Sequence, residues 1–175
     1  IWVRWSLTSP LALLAMPHMP ATGVSGVDLY TRQADGKWVF VNNGRPLQVE
    51  GNLASFYPNN KTTEMQEYLL YLPLYNGTKS LEIGVGEGKR IQNVLPRPQD
   101  KAQPIAYYGS SIAQGGCASR PGMAFTAILG RALDRPILNF GFSGSAMLEP
   151  EVADLLAELA PLLFVLDSLP NSHNL

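Results

Sequence analysis

Alternating apolar and polar positions mark the start of the chain as β structure. In residues 1–7 the odd positions are all apolar, a pattern typical of a half-buried strand. Residues 27–32 and 37–41 are two further strand-like runs, and the turn between them contains Asp35-Gly36. Because Asp-Gly is a strong signal for a tight turn between antiparallel strands, these two runs are predicted to form a hairpin.

Two later runs, at residues 68–72 and 80–85, flank a loop that contains a proline and a glycine. Several short strands separated by turn residues are typical of a sandwich or jelly roll. We therefore predict an N-terminal, jelly-roll-like β-sandwich domain over residues 1–86, incomplete at its N-terminus. Residues 87–103 hold prolines, several charges and little periodicity, so they are predicted to form a semi-stiff linker.

The second half of the chain changes to an alternation of strands and helices. Apolar and amphipathic runs predict strands at 105–108, 136–140 and 162–166, and helices at 122–133 and 150–160. The order strand-helix-strand-helix-strand implies a parallel sheet with right-handed crossovers. The last strand is apolar throughout, as is typical of a strand buried on both faces. The predicted fold class is thus a β domain followed by an α/β domain over residues 104–175.

Composition and charge narrow the range of partners. The 175 residues carry a net charge of −1 without a basic run, which argues against nucleic acid. Cys117 is the single cysteine, so neither an intrachain disulfide nor a cysteine-based zinc site is expected. The apolar residues 11–16 are far short of the roughly 20 residues of a membrane span, and no signal peptide is recognisable. No cofactor is expected, and the compartment stays open, with secretion or a periplasmic location compatible.

The candidate chemistry begins at Ser111. An apolar strand runs into Gly109-Ser110-Ser111 and a helix follows, an arrangement that raises a serine hydroxyl to the end of a parallel sheet. The loops after the next two strands hold Gly144 and Asn171, and all three loops are expected at the same, carboxyl edge of the sheet. A serine nucleophile with a glycine N–H and an asparagine amide as oxyanion donors suits acyl transfer, where each donor is worth roughly 100- to 1,000-fold in rate. The alternative for Ser111 is an ordinary turn serine that caps the helix.

At these positions the chain resembles the SGNH/GDSL hydrolase superfamily. Gly109-Ser110-Ser111-Ile112 stands where that family has its Gly-Asp-Ser-Leu block, so the resemblance makes Ser111 the nucleophile. Gly144 matches the second-block glycine, which donates a backbone N–H, and Asn171 matches the third-block asparagine, which donates a side-chain N–H. The backbone N–H of Ser111 would be the third donor. The resemblance implies a flavodoxin-like three-layer α/β/α domain, of which the chain would carry the first half.

The N-terminal half resembles one subfamily more closely. Residues 26–30, Gly-Val-Asp-Leu-Tyr, are similar to the Gly-x-Asp-Leu-Tyr motif of a β-sandwich domain that precedes one group of GDSL-like proteins. Residues 70–77 and 117–123 are also similar to that group. Asp28 and Tyr30 are expected to be structural contacts between the sandwich and the linker. Membership implies hydrolysis of a small acyl ester or deacylation of a carbohydrate.

The family's final block, Asp-x-x-His, does not occur in the sequence. That block supplies the base and its orienting carboxylate, and a serine hydroxyl is a poor nucleophile at neutral pH without a base. The two histidines, His18 and His173, do not lie in such a motif. We therefore interpret the chain as a piece cut at both ends and expect it to be inactive as an esterase. Ser110, in place of the usual Asp or Thr, is expected to be tolerated because that side chain mainly shapes the turn.

Two other functions stay open beside a serine esterase. One is a non-catalytic carbohydrate- or ligand-binding β-sandwich with a vestigial α/β domain. The other is a nucleotide-binding protein, which is the weakest because neither Gly-x-Gly-x-x-Gly nor Gly-x-x-x-x-Gly-Lys occurs. A last expectation concerns the strand at 162–166, which would lie at an open edge of the sheet. Exposed backbone groups and apolar side chains there would favour self-association.

Overall fold

The structure is a computed structural model that describes residues 1–10, 14–58 and 65–172. Contacts divide the chain into two compact units. The N-terminal unit comprises residues 1–95 and 117–123, and the C-terminal unit comprises residues 96–116 and 124–175. In the described parts of both units, no helix is both long and apolar enough to cross a membrane.

Short strands make up most of the N-terminal unit. They are β1 (Trp2–Leu7), β2 (Val27–Arg32), β3 (Trp38–Gly44), β4 (Asn52–Ser55), β5 (Tyr68–Tyr71) and β6 (Thr78–Gly84), with a short helix α1 (Ala21–Val24) before β2. They form two three-stranded antiparallel sheets, one in the order β4-β1-β6 and the other in the order β3-β2-β5.

The central strands of the two sheets supply one hydrophobic cluster. In β1 the odd positions Val3, Trp5 and Leu7 are buried, as the alternation predicts. Val27 and Leu29 of β2 belong to the same cluster. Both sheets therefore contribute side chains to a common core, and the jelly-roll arrangement itself stays a prediction.

The predicted strands are found, with two differences. β2 and β3 form the predicted hairpin. The runs at 68–72 and 80–85 are strands too, but β5 pairs with β2 and β6 pairs with β1, so they lie in different sheets. The sequence does not predict β4, because its pattern is inverted: the polar Asn52 is 3% exposed and the apolar Leu53 is 59% exposed.

A buried carboxylate organises the Gly-x-Asp-Leu-Tyr segment. Asp28 is fully buried, and its Oδ2 accepts hydrogen bonds from Nη1 of Arg120 and from the N–H of Gly122, each at 2.8 Å. Its Oδ1 accepts from Nδ2 of Asn43 at 2.7 Å. The expectation that Asp28 contacts the linker is therefore wrong, because these partners lie in β3 and in residues 120–122.

The guanidinium of Arg120 has partners on several sides. It donates to the hydroxyl of Tyr30 at 2.5 Å and lies 3.7 Å from the centroid of the Phe40 ring. Burial disfavours the charged form, yet the hydrogen bonds to Tyr30 and Asp28 leave the pKa of Arg120 raised. Tyr30 also approaches Gly122 so closely that a Cβ there would lie 2.4 Å from its ring. Residues 26–30, the Gly-x-Asp-Leu-Tyr motif, thus bind residues 120–122 through the side chains of Asp28 and Tyr30.

The C-terminal unit is built on a parallel sheet, as predicted. Its strands are β7 (Ile105–Gly109), β8 (Ile137–Gly141) and β9 (Leu163–Asp167), and its helices are α2 (Gln99–Ala102), α3 (Ser111–Gln114), α4 (Phe125–Ala132) and α5 (Pro150–Ala157). The strand order is β8-β7-β9, with the first strand in the middle. The helix predicted at 122–133 is shorter than expected, because a 3-10 turn at Pro121–Met123 precedes α4.

β9 is the strand where apolar pattern and burial disagree. Leu163, Phe164 and Leu166 are 52%, 42% and 62% exposed. Burial on both faces is therefore the wrong prediction for this strand. Its only neighbour in the described part of the sheet is β7, so one side of β9 is open. The expected open edge is found, and self-association through it stays a prediction.

Candidate active site

The three parallel strands end side by side and send their loops off the same edge of the sheet. Gly109 at the end of β7 is in register with Gly141 at the end of β8 and with Asp167 at the end of β9. The loops that follow are those that carry the predicted nucleophile and oxyanion donors. In open parallel sheets this carboxyl edge is where ligands bind.

Two adjacent serines in the turn at the end of β7 differ in their hydrogen bonding. Ser110 is fully buried, and its Oγ accepts a hydrogen bond from the N–H of Ile112 at 3.3 Å, so it is the N-cap of α3. Ser111 is the first residue of the helix and is partly exposed. No described residue forms a hydrogen bond with its hydroxyl. The capping role considered for Ser111 therefore belongs to Ser110.

Two glycines allow α3 to lie against the sheet. A Cβ at Gly109 would lie 2.8 Å from Cβ of Ala113 and 2.9 Å from the carbonyl oxygen of Asp167. A Cβ at Gly141 would lie 2.0 Å from the backbone nitrogen of Gln114. Side chains at either position would displace the helix that carries Ser111. Gly141 was not among the predicted site residues, although its place directly after an apolar strand, level with Gly109, was a usable signal.

The loop after β8 is bonded to both neighbouring elements. The N–H of Phe142 donates to the carbonyl oxygen of Gly109 at 2.8 Å, and the N–H of Ser143 donates to Oε1 of Gln114 at 3.0 Å. Gly144 follows with φ of 72°, in the left-handed region that favours glycine. It is exposed, and a Cβ added there would meet nothing within 4 Å. Glycine is therefore favoured at this position by the backbone conformation and not by crowding.

Asn171 reaches the loop that carries Gly144. Its side-chain Nδ2 donates to the carbonyl oxygen of Ser145, and its backbone N–H donates to the carbonyl oxygen of Ser168 at 2.9 Å. Because an amide nitrogen carries two hydrogens, the bond to Ser145 leaves one of them for another acceptor. The structure thus brings Asn171 and the Gly144 loop together. The catalytic roles of Ser111, Gly144 and Asn171 stay predictions.

A tyrosine and a glutamate that were not predicted as site residues, Tyr108 and Glu149, bond to the rest of this loop. The hydroxyl of Tyr108 donates to Oε2 of Glu149 and accepts from the N–H of Leu148 at 3.0 Å. Oε1 of Glu149 accepts from the N–H of Met147 at 3.1 Å. The bond from Tyr108 lowers the pKa of Glu149, while burial and the same bond raise the pKa of Tyr108. Glu149 is therefore an ionised carboxylate at neutral pH.

The same loop holds two residues in an unfavourable backbone conformation. Ala146 and Leu148 have φ of 65° and 63° without being glycine. Such residues cost about 1–3 kcal/mol each and persist where their surroundings hold them in place. Burial of Ala146 against Tyr108 and Leu156, together with the bond from Leu148 to Tyr108, holds them here.

A pocket of about 440 Å³ lies beside the Gly144 loop. Its lining residues come from α3, the end of β8, the following loop and α5: Gln114, Gly141, Phe142, Ser143, Ser145, Glu149 and Val152. Ser143 and Ser145 are the two neighbours of Gly144 in the chain. The pocket therefore adjoins the predicted oxyanion donors rather than enclosing them.

Four further residues have a side chain of a type that can act as a base or a nucleophile: His18, His173, Cys117 and Asp167. His18 is exposed in the turn between Met16 and Met19 of the N-terminal unit, and His173 lies outside the described residues. As the single cysteine of the chain, Cys117 is expected to be a buried small hydrophobe rather than a nucleophile. It is exposed in the structure, so that expectation is wrong. Asp167 accepts a hydrogen bond from the hydroxyl of Tyr107 at 3.2 Å.

Within the parts of the chain that the structure covers, no group of three or more metal-ligating His, Cys, Asp or Glu side chains occurs. The chemistry that the described loops can perform is therefore that of a hydroxyl, backbone N–H groups, side-chain amides and a carboxylate.

Comparisons with known proteins match both halves of the chain. Residues 102–175 match a family model described as the GDSL-like Lipase/Acylhydrolase family, and residues 1–91 match one described as GxDLY, the N-terminus of Esterase_SGNH_hydro-type. A solved structure of a putative GDSL-like lipase from Bacteroides ovatus is 39% identical, with a TM-score of 0.81. That alignment covers 97% of this chain and 48% of the other, so the chain spans about half the length of this similar protein. No curated protein matches the chain.

Proposed function

Because the chain belongs to the GDSL-like lipase/acylhydrolase family of SGNH-type esterases, we propose that it carries the nucleophile and the oxyanion hole of a serine ester hydrolase. Ser111 is the nucleophile, and the N–H groups of Ser111 and Gly144 with the side-chain amide of Asn171 are the oxyanion donors. The substrate is a small acyl ester or an acylated carbohydrate.

The proposed reaction has two displacement steps. Ser111 Oγ loses its proton to a base and bonds to the acyl carbon, and the negative charge on the carbonyl oxygen is held by the three donors. The alcohol leaves with a proton, and water then hydrolyses the acyl-serine to release the acid and restore the hydroxyl. No cofactor takes part in this proposal.

One observation supports this assignment most directly: three loops leave one edge of a parallel sheet at a common register. They present a partly exposed serine whose side chain has no partner among the described residues, a left-handed glycine and an asparagine amide bonded next to that glycine. The same strand order, with the first strand central, supports the proposal of a flavodoxin-like half domain. The core shared by two antiparallel sheets supports the proposal of a jelly-roll-like sandwich before it.

The base is the missing part of this proposal. The sequence holds no Asp-x-x-His, and a serine without such a base attacks esters slowly at neutral pH. We propose that the 175 residues alone hydrolyse p-nitrophenyl acetate no faster than the Ser111→Ala variant. Turnover that depends on Ser111 in this chain would contradict that and make His18 and His173 candidate bases.

A chimera tests the nucleophile itself. Residues 1–172 are joined to the part of the Bacteroides ovatus protein that the alignment leaves uncovered, and p-nitrophenyl acetate hydrolysis is measured. We expect turnover on the order of 1,000-fold above the same chimera with Ser111→Ala, since losing a triad serine removes at least that much. Mass spectrometry of the acylated peptide then locates the acyl group. A folded chimera without turnover that depends on Ser111 would favour a non-catalytic, carbohydrate-binding sandwich instead.

A further inference from the structure

The loop between β8 and α5 leaves one of its backbone N–H groups without a partner in the protein. The N–H groups of Phe142 and Ser143 donate to the end of β7 and to a side chain of α3, and the N–H of Ser145 donates to the carbonyl oxygen of Phe142 at 3.1 Å. The N–H of Gly144, which lies between them, has no hydrogen-bond partner among the described residues. Because backbone N–H groups are strong donors that are normally paired, this one is available to water or to a bound substrate.

The second half of the loop is folded around the carboxylate of Glu149. Its Oε1 accepts a hydrogen bond from the N–H of Met147 at 3.1 Å, and its Oε2 accepts one from the hydroxyl of Tyr108. Hydrogen bonds from the N–H groups of Ala146 and of Glu149 itself help to lower the pKa of this carboxyl. The hydroxyl of Tyr108 accepts in turn from the N–H of Leu148 at 3.0 Å. One carboxylate thus collects the N–H groups of the loop after Ser145, either directly or through Tyr108.

The backbone of this loop needs such a set of bonds to keep its path. Left-handed residues alternate along it, with φ of 72° at Gly144, 65° at Ala146 and 63° at Leu148. For alanine and leucine this conformation is unfavourable, so it persists only where the surroundings hold it. Hydrogen bonds to a charged group are roughly twice as strong as neutral ones, so the carboxylate of Glu149 is well suited to hold these residues.

We propose that Glu149 is a positioning residue for the N–H of Gly144, because its carboxylate folds the loop so that this donor is the one left to bind the oxyanion. The proposal rests on the proposed esterase function, since the oxyanion forms only when Ser111 attacks an ester. Glu149 acts through the loop and does not touch the substrate. Its effect therefore falls on the transition state, where negative charge develops on the carbonyl oxygen, and not on substrate binding.

NMR of the 175-residue chain tests the loop without catalysis. Glu149→Gln replaces one carboxylate oxygen with an NH2 group, which donates instead of accepting, and removes the charge. We expect amide hydrogen exchange at Met147 to accelerate about 10-fold, the value of a hydrogen bond to a charged group. The amide signal of Gly144 is expected to move as the loop shifts. A Gly144 signal that stays in place would overturn the proposal.

Glu151→Gln is the matched control for these measurements. Glu151 lies in the first turn of the same helix, α5, is exposed, and has no side-chain partner among the described residues. This variant removes the same charge from the same helix, so the amide exchange of Met147 and the signal of Gly144 are expected to stay unchanged. Equal changes in the two variants would show that loss of charge, and not loss of the bonds to the loop, is the cause, and would refute the positioning role.

Kinetics of the chimera show whether the loop acts on the transition state. Removing one oxyanion donor lowers kcat by about 100- to 1,000-fold, so we expect Glu149→Gln to lower kcat for p-nitrophenyl acetate by about 100-fold and to keep KM within about threefold. Glu151→Gln is expected to keep both constants within about twofold. A loss confined to KM, or a loss of kcat no larger than in Glu151→Gln, would contradict the proposal.

Tyr108→Phe provides a second variant in case Glu149→Gln does not fold. It removes the hydroxyl that donates to Glu149 and accepts from Leu148, while the carboxylate keeps its backbone donors. We expect the same changes at a smaller size, with kcat lowered about 10-fold and KM retained. A wild-type kcat together with an unmoved Gly144 signal in Tyr108→Phe would count against the proposal.

The two proposals fail in different ways. Failure of the esterase proposal shows as a folded chimera without turnover that depends on Ser111. Failure of the positioning role shows as an active chimera in which Glu149→Gln behaves like Glu151→Gln, or as an unmoved Gly144 signal in the chain itself.

Discussion

Asp28 in the N-terminal unit and Ser111 in the C-terminal unit occupy contrasting environments. Asp28 is fully buried, and three donors within 2.8 Å satisfy both of its oxygens. Ser111 is partly exposed, and no described side chain or backbone group bonds its hydroxyl. Both residues lie in short motifs that contain a glycine. The carboxylate of Asp28 is fully hydrogen-bonded within the protein, whereas the hydroxyl of Ser111 has no partner among the described residues.

This difference is the one expected between a stabilising site and the reactive site that we propose at Ser111. A buried charge is tolerated only when its partners replace the water that it has lost, so the Asp28 cluster is complete within the protein. A nucleophile must instead leave a position open for substrate, so its surroundings are arranged around a group without a partner. Removing a residue is therefore expected to cost stability at the first site and activity at the second.

The largest stability effect is expected at Asp28. Asp28→Ala removes the charged partner of the Arg120 guanidinium, which keeps only its bond to Tyr30, and the acceptor of the Gly122 N–H. Breaking a buried pair in this way costs about 3–5 kcal/mol. Chemical denaturation followed by circular dichroism measures the loss. The control is Arg4→Ala, which removes an exposed pair with Glu82 at 3.3 Å and is expected to cost about 0–1 kcal/mol. Similar losses in the two variants would refute the contrast.

An intermediate effect is expected at Gly141, which links stability to the site. In Gly141→Ala the new Cβ would meet the backbone of α3, so the helix must shift at a cost of about 1–3 kcal/mol. Because α3 begins at Ser111, the same change is expected to lower turnover by the chimera. Gly86→Ala is the control, since a Cβ there meets nothing within 4 Å. An unchanged midpoint and unchanged turnover in Gly141→Ala would show that α3 tolerates the displacement.

The smallest effect is expected from acid acting on Glu149. Its pKa is lower in the folded chain than the ordinary 4.5, so its ionised form stabilises the fold above about pH 4.5 and this contribution is lost as the pH falls below that value. We expect the melting temperatures of wild type and Glu149→Gln to differ slightly at pH 7 and to converge as the pH falls through and below 4.5. Glu87→Gln, at an exposed position without a side-chain partner among the described residues, should show no such convergence. A difference that persists at low pH would exclude ionisation as its cause.

Periodic segments were the most predictable part of the fold. The strands at 1–7, 27–32 and 105–108 have strong patterns, and the order of strands and helices after residue 104 implies the parallel sheet that is found. The weak or inverted pattern of β4 was missed, because burial of Asn52 depends on bonds to the backbone of Leu47 and Gln48 that no local pattern reveals. The apolar run of β9 predicted burial where the structure shows exposure, because the exposure of a strand depends on which neighbouring elements cover it.

The candidate site divides in the same way. Ser111, Gly144 and Asn171 could be selected because ester hydrolysis needs these residue types and they occur in the expected order. The strands that precede their loops end at one edge of the parallel sheet. Tyr108, Glu149 and the crowding at Gly141 could not be selected, because each matters through a contact with residues 27–41 positions away in the chain.

The sequence by itself determines local properties: which segments can form strands, where glycine permits a turn, and which side chains can act as a nucleophile or a hydrogen-bond donor. Sequence alone was therefore enough to place this chain near a family and to select three candidate residues. The partners of each group depend on distances between segments far apart in the chain, so they required the fold. It was the fold that assigned the helix cap to Ser110, satisfied Asp28 with Arg120, exposed β9 and set Glu149 in the pocket beside Gly144.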